Sequence, residues 1–238
     1  MAVDDKYTVS LLHFDGADQS TTFIDESGKS WTASGNAQID TAQKKFGSGS
    51  GLFDGAGDYL SVPDHVDFTL GSDDFTIDMW VRPSVINQTN KAIAAQAGVS
   101  GANNTVAWYL LYQSDESIQG AISSGSTLYT VTSPISTYAA NTWLHIALIR
   151  NGNNLYLAYG GTLTSATDVT GVSVNNSSGK LAIGRYGDYA DLYSAGWIDE
   201  FRMSKGVARW NTNFTPETKA YSPPAILASP CVTNCMVL

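Results

Sequence analysis

Only two cysteines occur in the 238 residues, Cys231 and Cys235, and both lie near the C-terminus. Everything before them must hold together without disulfides and needs no oxidising compartment. A Cys-x-x-x-Cys pair with no His or further Cys beside it is a poor zinc ligand set, so free thiols or a local disulfide are expected. Cations are also scarce: 13 Lys and Arg stand against 22 Asp and Glu, for a formal net charge of −9. Such a surface cannot replace the counterions of a phosphate backbone, which excludes nucleic acid as a partner. It lacks the basic patch that holds proteins on anionic lipid. No run approaches the roughly 18 apolar residues of a membrane-spanning helix, so no membrane insertion is expected. The opening MAVDDKYTVS has no apolar core, so no secretory signal peptide is expected. Histidines number three and glutamates four, which leaves few groups for acid–base chemistry.

Helical periodicity is nearly absent, and short alternating runs take its place. Asp74–Pro83 (DFTIDMWVRP) puts Phe75, Ile77, Met79 and Val81 on one face and Thr76, Asp78, Trp80 and Arg82 on the other, the pattern of a half-buried strand. Further strands are expected at Tyr7–Phe14, Trp31–Ser34, Ser50–Phe53, Asp58–Val62, Ala92–Ala97, Thr105–Gln113, Ile118–Ser123, Thr127–Thr132, Trp143–Arg150, Asn154–Ala158, Lys180–Arg185 and Gly196–Met203. Asn151-Gly152-Asn153 between two apolar runs predicts a hairpin, because Asn and Gly accept positive φ at little cost. One helical turn is expected at Gly206–Trp210. Many short strands at hairpin spacing imply a two-sheet sandwich, whose closure hides its edges. With no linker before it, residues 1–217 read as one domain, and residues 218–238, with Pro223, Pro224 and Pro230, as an extended tail.

Four stretches carry a family resemblance: LLHFDGADQSTTFIDESG (Leu11–Gly28), SGLFDGAGDYLSVPD (Ser50–Asp64), NTWLHIALIRNGNNLYL (Asn141–Leu157) and GWIDEFRMSKGVARW (Gly196–Trp210). Their order and spacing resemble the laminin-G-like, concanavalin A-like jelly roll, in the version common in tailed-phage virion proteins. The resemblance covers about residues 7–217. It implies an all-β, antiparallel two-sheet jelly-roll sandwich, a fold that carries lectins, glycosidases and structural modules alike.

The resemblance also frames the candidate sites. Retaining glycosidases of this fold set Glu-x-Asp-x-(x)-Glu on one strand, with nucleophile and acid/base about 5 Å apart. None of Glu26, Glu116, Glu200 and Glu217 is followed two residues on by Asp, so no enzyme is expected. Calcium is implied where the terminal strands meet, on Asp15 and Asp199, with Asp25 and a carbonyl of Phe46–Ser48 able to join them. Against this, Asp15 and Asp25 suit turns that bond their own backbone, and Asp199 suits a pair with Arg202 or Lys205. His13, His65 and His145 read as satisfied or solvated. For a ligand, the richest loop is Arg185–Tyr193: Tyr186, Tyr189 and Tyr193 offer aromatic faces, and Asp188 and Asp191 offer acceptors, at the expected sandwich rim. Trp80, Trp108, Tyr109 and Tyr112 fall on strands and could line a sheet face. The expectation is a non-catalytic recognition or adhesion module on a virion, contacting glycans of a host or environmental surface. The alternative is a structural virion subunit (decoration, tail-fibre or baseplate) that contacts other virion subunits. In either case repeated copies, a homo-oligomer, are expected.

Overall fold

The computed structural model describes residues 5–100, 102–189 and 192–223. Its first strands are β1 (Thr8–Leu12), β2 (Thr32–Ser34), β3 (Gln38–Asp40), β4 (Ser50–Asp54) and β5 (Tyr59–Val62). A 3-10 turn at Val66–Phe68 leads to β6 (Phe75–Pro83) and β7 (Lys91–Ala97). Next come β8 (Val106–Tyr112), β9 (Ile118–Ser123), β10 (Leu128–Thr132), β11 (Leu144–Asn151) and β12 (Asn154–Tyr159). The chain closes through β13 (Thr162–Leu163), β14 (Thr167–Asp168), β15 (Leu181–Ile183) and the long β16 (Ala195–Lys205). One sheet runs β13-β12-β11-β6-β16-β4-β3, with β1 added to β16 and β14 to β12; the other runs β10-β9-β8-β7-β15-β5-β2. Every pairing between these strands is antiparallel. This is the expected all-β sandwich of two antiparallel sheets. The core between them includes Phe53, Phe75, Ile77, Met79, Trp108, Leu110, Ile146, Leu148 and Phe201.

The expected strands are present, and β11 and β12 form the expected hairpin, closed by Gly152 at φ 58°. Three further strands, β3, β13 and β14, are two or three residues long and mostly polar (Gln38, Asp40, Thr162, Thr167, Asp168), too short for any alternation to show. Gly206–Trp210 is not a helical turn. Its backbone groups are taken by β6 and the residue before it: Gly206 N–H donates to the Asp74 carbonyl and Arg209 N–H to Thr76 Oγ1. The segment is thereby pulled back across the nine-stranded sheet.

That return makes β6 buried on both faces rather than half-buried. Thr76 and Asp78 are fully buried and Trp80 nearly so. Ala208, Trp210 and Phe214 cover Ala147, Ile149 and Ala158 on the outer face. The Trp210 and Phe214 rings stack at 4.0 Å and 5°, and His145 meets both edge-on. The chain is still packed on the sandwich at Tyr221, which is 5% exposed. Its N–H donates to Glu200 Oε2 at 2.8 Å, its hydroxyl lies 3.0 Å from His145 Nε2, and the Arg202 guanidinium sits 3.7 Å over its ring. The remaining tail, with Ala225–Leu227, Cys231 and Cys235, lies outside the described residues.

Because the Tyr221 hydroxyl meets the buried His145 ring and the side chain fills space over the sheet, its loss should be costly. Tyr221→Ala, or deletion of everything after Glu217, is expected to destabilise the domain by about 3 kcal/mol in denaturant unfolding. Tyr221→Phe, which keeps the ring and the Glu200 bond, should cost about 1 kcal/mol. Melting curves indistinguishable from the parent chain would show that residues 218–223 only rest on the surface.

Candidate functional site

The three aspartates expected at a calcium site are each already engaged by the protein. Asp25 is buried and receives five hydrogen bonds: Ser10 Oγ and Trp31 Nε1 on Oδ2, and Leu11 N, Ser27 N and Ser27 Oγ on Oδ1. Asp15 is exposed and accepts from the backbone and hydroxyl of Ser48. Asp199 is fully buried, and its Oδ2 accepts from Lys45 N at 2.8 Å and Phe46 N at 3.0 Å. The Phe46–Ser48 segment, expected to lend a carbonyl, instead turns N–H groups toward two of these carboxylates. Both oxygens of Asp25 and one each of Asp15 and Asp199 already accept from N–H or O–H donors, which leaves too few oxygens for the six to eight that a shared Ca²⁺ takes. Among the described residues no group of three or more His, Cys, Asp or Glu is placed to hold a metal. The Asp199 pair expected with Arg202 or Lys205 is absent too; Arg202 pairs with Asp78.

The tyrosine loop lies along the seven-stranded sheet rather than standing at its rim. Asp188 N–H donates to the Ala97 carbonyl at one end of β7, and Ala92 N–H donates to the Leu192 carbonyl at the other. Alanines at 92, 95, 97 and 121 leave a shallow outer face, and Tyr186 fills it against Tyr109. Tyr186 is therefore core, 7% exposed, and burial pushes its hydroxyl pKa up. Asp188 is engaged from outside the loop: Lys180 N–H donates to it at 3.1 Å, and Lys180 Nζ lies 3.9 Å away. Asp191 lies outside the described residues. What faces outward is Tyr189, 41% exposed, and the half-buried Tyr193. Tyr193 stacks on Tyr59 at 6.1 Å, and the Arg185 guanidinium lies 4.6 Å over the same Tyr59 ring. Arg185 is oriented by the Asp188 and Tyr189 carbonyls. Tyr59 is not among the residues expected for a ligand; its signal is only an exposed-face aromatic in Asp58–Val62.

Of the strand aromatics, Trp108 and Tyr112 point into the core, whereas Trp80 and Tyr109 take the two outer faces. On the nine-stranded side a buried polar cluster surrounds β16. A bulge between Asp199 and Arg202 puts Glu200 at φ 54° and reverses the side-chain alternation. Arg202 thus faces outward beside Asp78 and makes two bonds to it, 3.0 and 2.9 Å. Burial would raise the Asp78 pKa, but the Arg202 charge and the hydrogen bonds from His145 and Arg202 hold it well below the usual carboxylate range. Glu200 Oε1 meets His13 Nδ1 at 2.8 Å. Burial alone would lower the His13 pKa; the Glu200 hydrogen bond and charge outweigh it and raise the net value. His65 caps the turn at Val66–Phe68, accepting from Asp67 N–H. A cleft of about 320 Å³ opens beside Arg202, Val207, Ala208, Arg209, Trp210 and Glu217. Both its guanidiniums are paired, Arg202 with Asp78 and Arg209 with Asp5. The one signal of this cluster in the sequence is Asp78, a charge in the middle of an apolar strand.

A family described as the concanavalin A-like lectin/glucanases superfamily matches residues 54–211. No curated protein matches the chain. Among solved structures, the binding domain of Paraclostridial Mosquitocidal Protein 1 is similar with a TM-score of 0.64 and 12% identity, over 84% of this chain and 49% of that one. The botulinum neurotoxin serotype G binding domain gives 0.64 and 16%, over 84% and 48%. The binding domain of botulinum neurotoxin DC, solved with rat synaptotagmin II, gives 0.63 and 16%, over 86% and 49%. The chain spans about half the length of these structures, and at such identities the likeness is one of fold.

The buried carboxyl of Asp199 makes a pH prediction. Burial pushes its pKa up to about 7, against an ordinary 3.8. Between those values the folded chain holds a proton that the unfolded chain has released, so stability falls as pH rises through this window. His13, also raised, adds a loss of the same sign above its ordinary 6.5. Asp199→Asn, which can still accept from Lys45 and Phe46, should flatten the fall between pH 4 and 7. It should be more stable than the parent at pH 8 by a few kcal/mol, because each tenfold change in proton affinity is worth about 1.4 kcal/mol. Parallel stability–pH curves for the two proteins would contradict this.

Proposed function

This chain belongs to the concanavalin A-like lectin/glucanases superfamily, and on that premise we propose that it is a non-catalytic binding module for glycans of a host or environmental surface. The observation that carries the reading is the outward aromatic group on the seven-stranded sheet: the Tyr193–Tyr59 stack under the Arg185 guanidinium, which in turn donates to the carbonyl of exposed Tyr189. Aromatic faces receive the C–H side of a sugar ring, and a guanidinium with spare N–H donors fixes its hydroxyls. The group is held by backbone bonds to Ala92 and Ala97, so little order is lost on binding. The similar solved structures are binding domains, one of them in complex with rat synaptotagmin II, which supports recognition rather than turnover. The glutamates support the same reading. Glu200, which lies on β16, is buried with both oxygens engaged by His13 and Tyr221. The setting we propose, on the sequence resemblance, is the surface of a phage particle, with the module present in repeated copies.

The test is a glycan array with the purified chain, its Tyr189→Ala variant and its Tyr193→Ala variant. Tyr189→Ala should leave stability within about 0.5 kcal/mol, since the ring is a surface group. It should weaken binding about tenfold, the equivalent of ~1.4 kcal/mol. Tyr193→Ala should weaken it further, because it also frees Tyr59. Unchanged array binding in both variants, with reduced incorporation into particles, would instead assign the loop to contacts with other virion subunits.

A further inference from the structure

The nine-stranded sheet carries a second outward aromatic group, and it differs from the first in charge. Trp197 on β16 stands directly opposite Arg82 on β6, and the next outward pair along the same strands is Asp199 opposite Trp80. The Arg82 guanidinium lies 4.7 Å over the Trp197 ring. The Lys45 ammonium lies 3.9 Å over the Trp80 ring and 5.6 Å over Phe46. Each part is fixed from behind. Trp197 Nε1 donates to Asp40 Oδ2 at 2.7 Å, which sets the indole rotation. Arg82 donates to Asn141 Oδ1 at 3.1 Å. The Lys45 and Phe46 backbone is clamped by Asp199, and Phe46 meets Trp80 edge-on at 5.9 Å.

What sets this patch apart is a pair of cations, Lys45 and Arg82, both without a carboxylate partner among the described residues. The chain has 22 carboxylates for 13 cations; Arg202 is neutralised by Asp78 and Arg209 by Asp5, and the buried Arg150 is held by the Gly71 and Gly152 carbonyls. Lys45 and Arg82 have no carboxylate within ion-pair distance among the described residues. Two carboxylates do lie close. Asp40 is occupied by the Trp197 indole, and Asp199 is buried beneath the layer. Lys44, exposed next door, adds a third positive group. Beneath the patch, Asp199 Oδ1 and Trp80 Nε1 are buried without a protein partner on directly opposed residues. Arg82, Trp197, Lys45 and Phe46 are all partly exposed, so the aromatic and cationic groups are reachable.

We propose that this face binds short saccharides that carry a carboxylate. The indole of Trp197 would take the apolar side of the ring, while Arg82 and Lys45 would share the carboxylate, Arg82 through its planar fork. The overall charge selects the size of the ligand. A long polyanion feels all nine excess negative charges and is repelled, whereas a single carboxylate at this patch senses mainly charges within about one Debye length, ~8 Å. Neutral sugars would use the indole alone and bind more weakly. The site stands apart from the tyrosine group, on the opposite sheet, and does not depend on it.

The test is tryptophan-fluorescence titration of the full chain with trigalacturonate, its methyl ester and sialyllactose. The ester keeps the shape of the acid and removes the charge. At least one of the two acids should bind saturably, trigalacturonate at least tenfold more tightly than its ester if it is the one that binds. Arg82→Gln and Lys45→Gln should each weaken the acid at least fivefold, and 0.5 M salt should do the same. Tyr189→Ala should leave the titration unchanged. Near-ultraviolet circular dichroism of each variant checks the fold, and Lys45→Gln, at a partly exposed position, carries the test if Arg82→Gln fails to fold. No saturable binding of either acid up to millimolar concentration, acid and ester binding alike, or full affinity in the variants would overturn the proposal.

Discussion

The bonded pair of Arg202 and Asp78 is the constraint around which the nine-stranded sheet is arranged. Two opposite charges on an outer face would ordinarily stay in water, where such a pair contributes little. Here both are buried, and a buried pair is tolerated only when its hydrogen bonds are complete and water is kept out. The bulge at Glu200 supplies the first condition by turning Arg202 to the face that Asp78 occupies. The return of residues 206–221 supplies the second, laying Trp210, Phe214 and Tyr221 around the pair. Tyr221 also ties off His145 and Glu200, so the cover is fastened by the polar groups it hides. Removing one member would leave the others buried and unpaired, which is why these residues behave as a unit.

The two outer faces are consequently finished in different ways. The seven-stranded sheet is shallow because β7 contributes alanines, and a single buried tyrosine with its loop is enough to close it. The remaining tyrosines of that loop are left for solvent. The nine-stranded sheet is closed over only part of its length. Where the returning segment does not reach, Trp197, Arg82 and the Lys45–Phe46 strap form the surface. In both open areas the aromatic side chains are held by hydrogen bonds or ring contacts.

The strap at Lys45–Ser48 explains why a carboxylate count is a poor guide to calcium. Asp15 and Asp199 do approach one segment of chain, as the family resemblance implies, but that segment offers N–H groups. An aspartate receiving N–H donors is an anchor for a loop. The direction of a peptide group decides between anchor and ligand, and composition carries no information about it.

By itself the sequence determined the strands and the class of fold. Alternation in Phe75–Val81 names the core face, Asn151-Gly152 names a hairpin, and both depend only on neighbours in the chain. It also determined the acidic balance and the scarcity of glutamate. Only the tertiary structure decided what the outward faces do. Tyr186 and Tyr189 are the same residue type in one loop, yet one is core and the other surface, because alanines from distant strands make room for the first. Thr76 and Asp78 read as solvent-facing until residues more than a hundred positions later fold back over them, and Trp80 until Lys45 and Phe46 cover it. The one-residue bulge at Glu200 reverses which side of β16 faces out, and no local pattern announces it. Period-two alternation fixes sides within a strand, but burial of the outer side depends on what the rest of the chain lays over it.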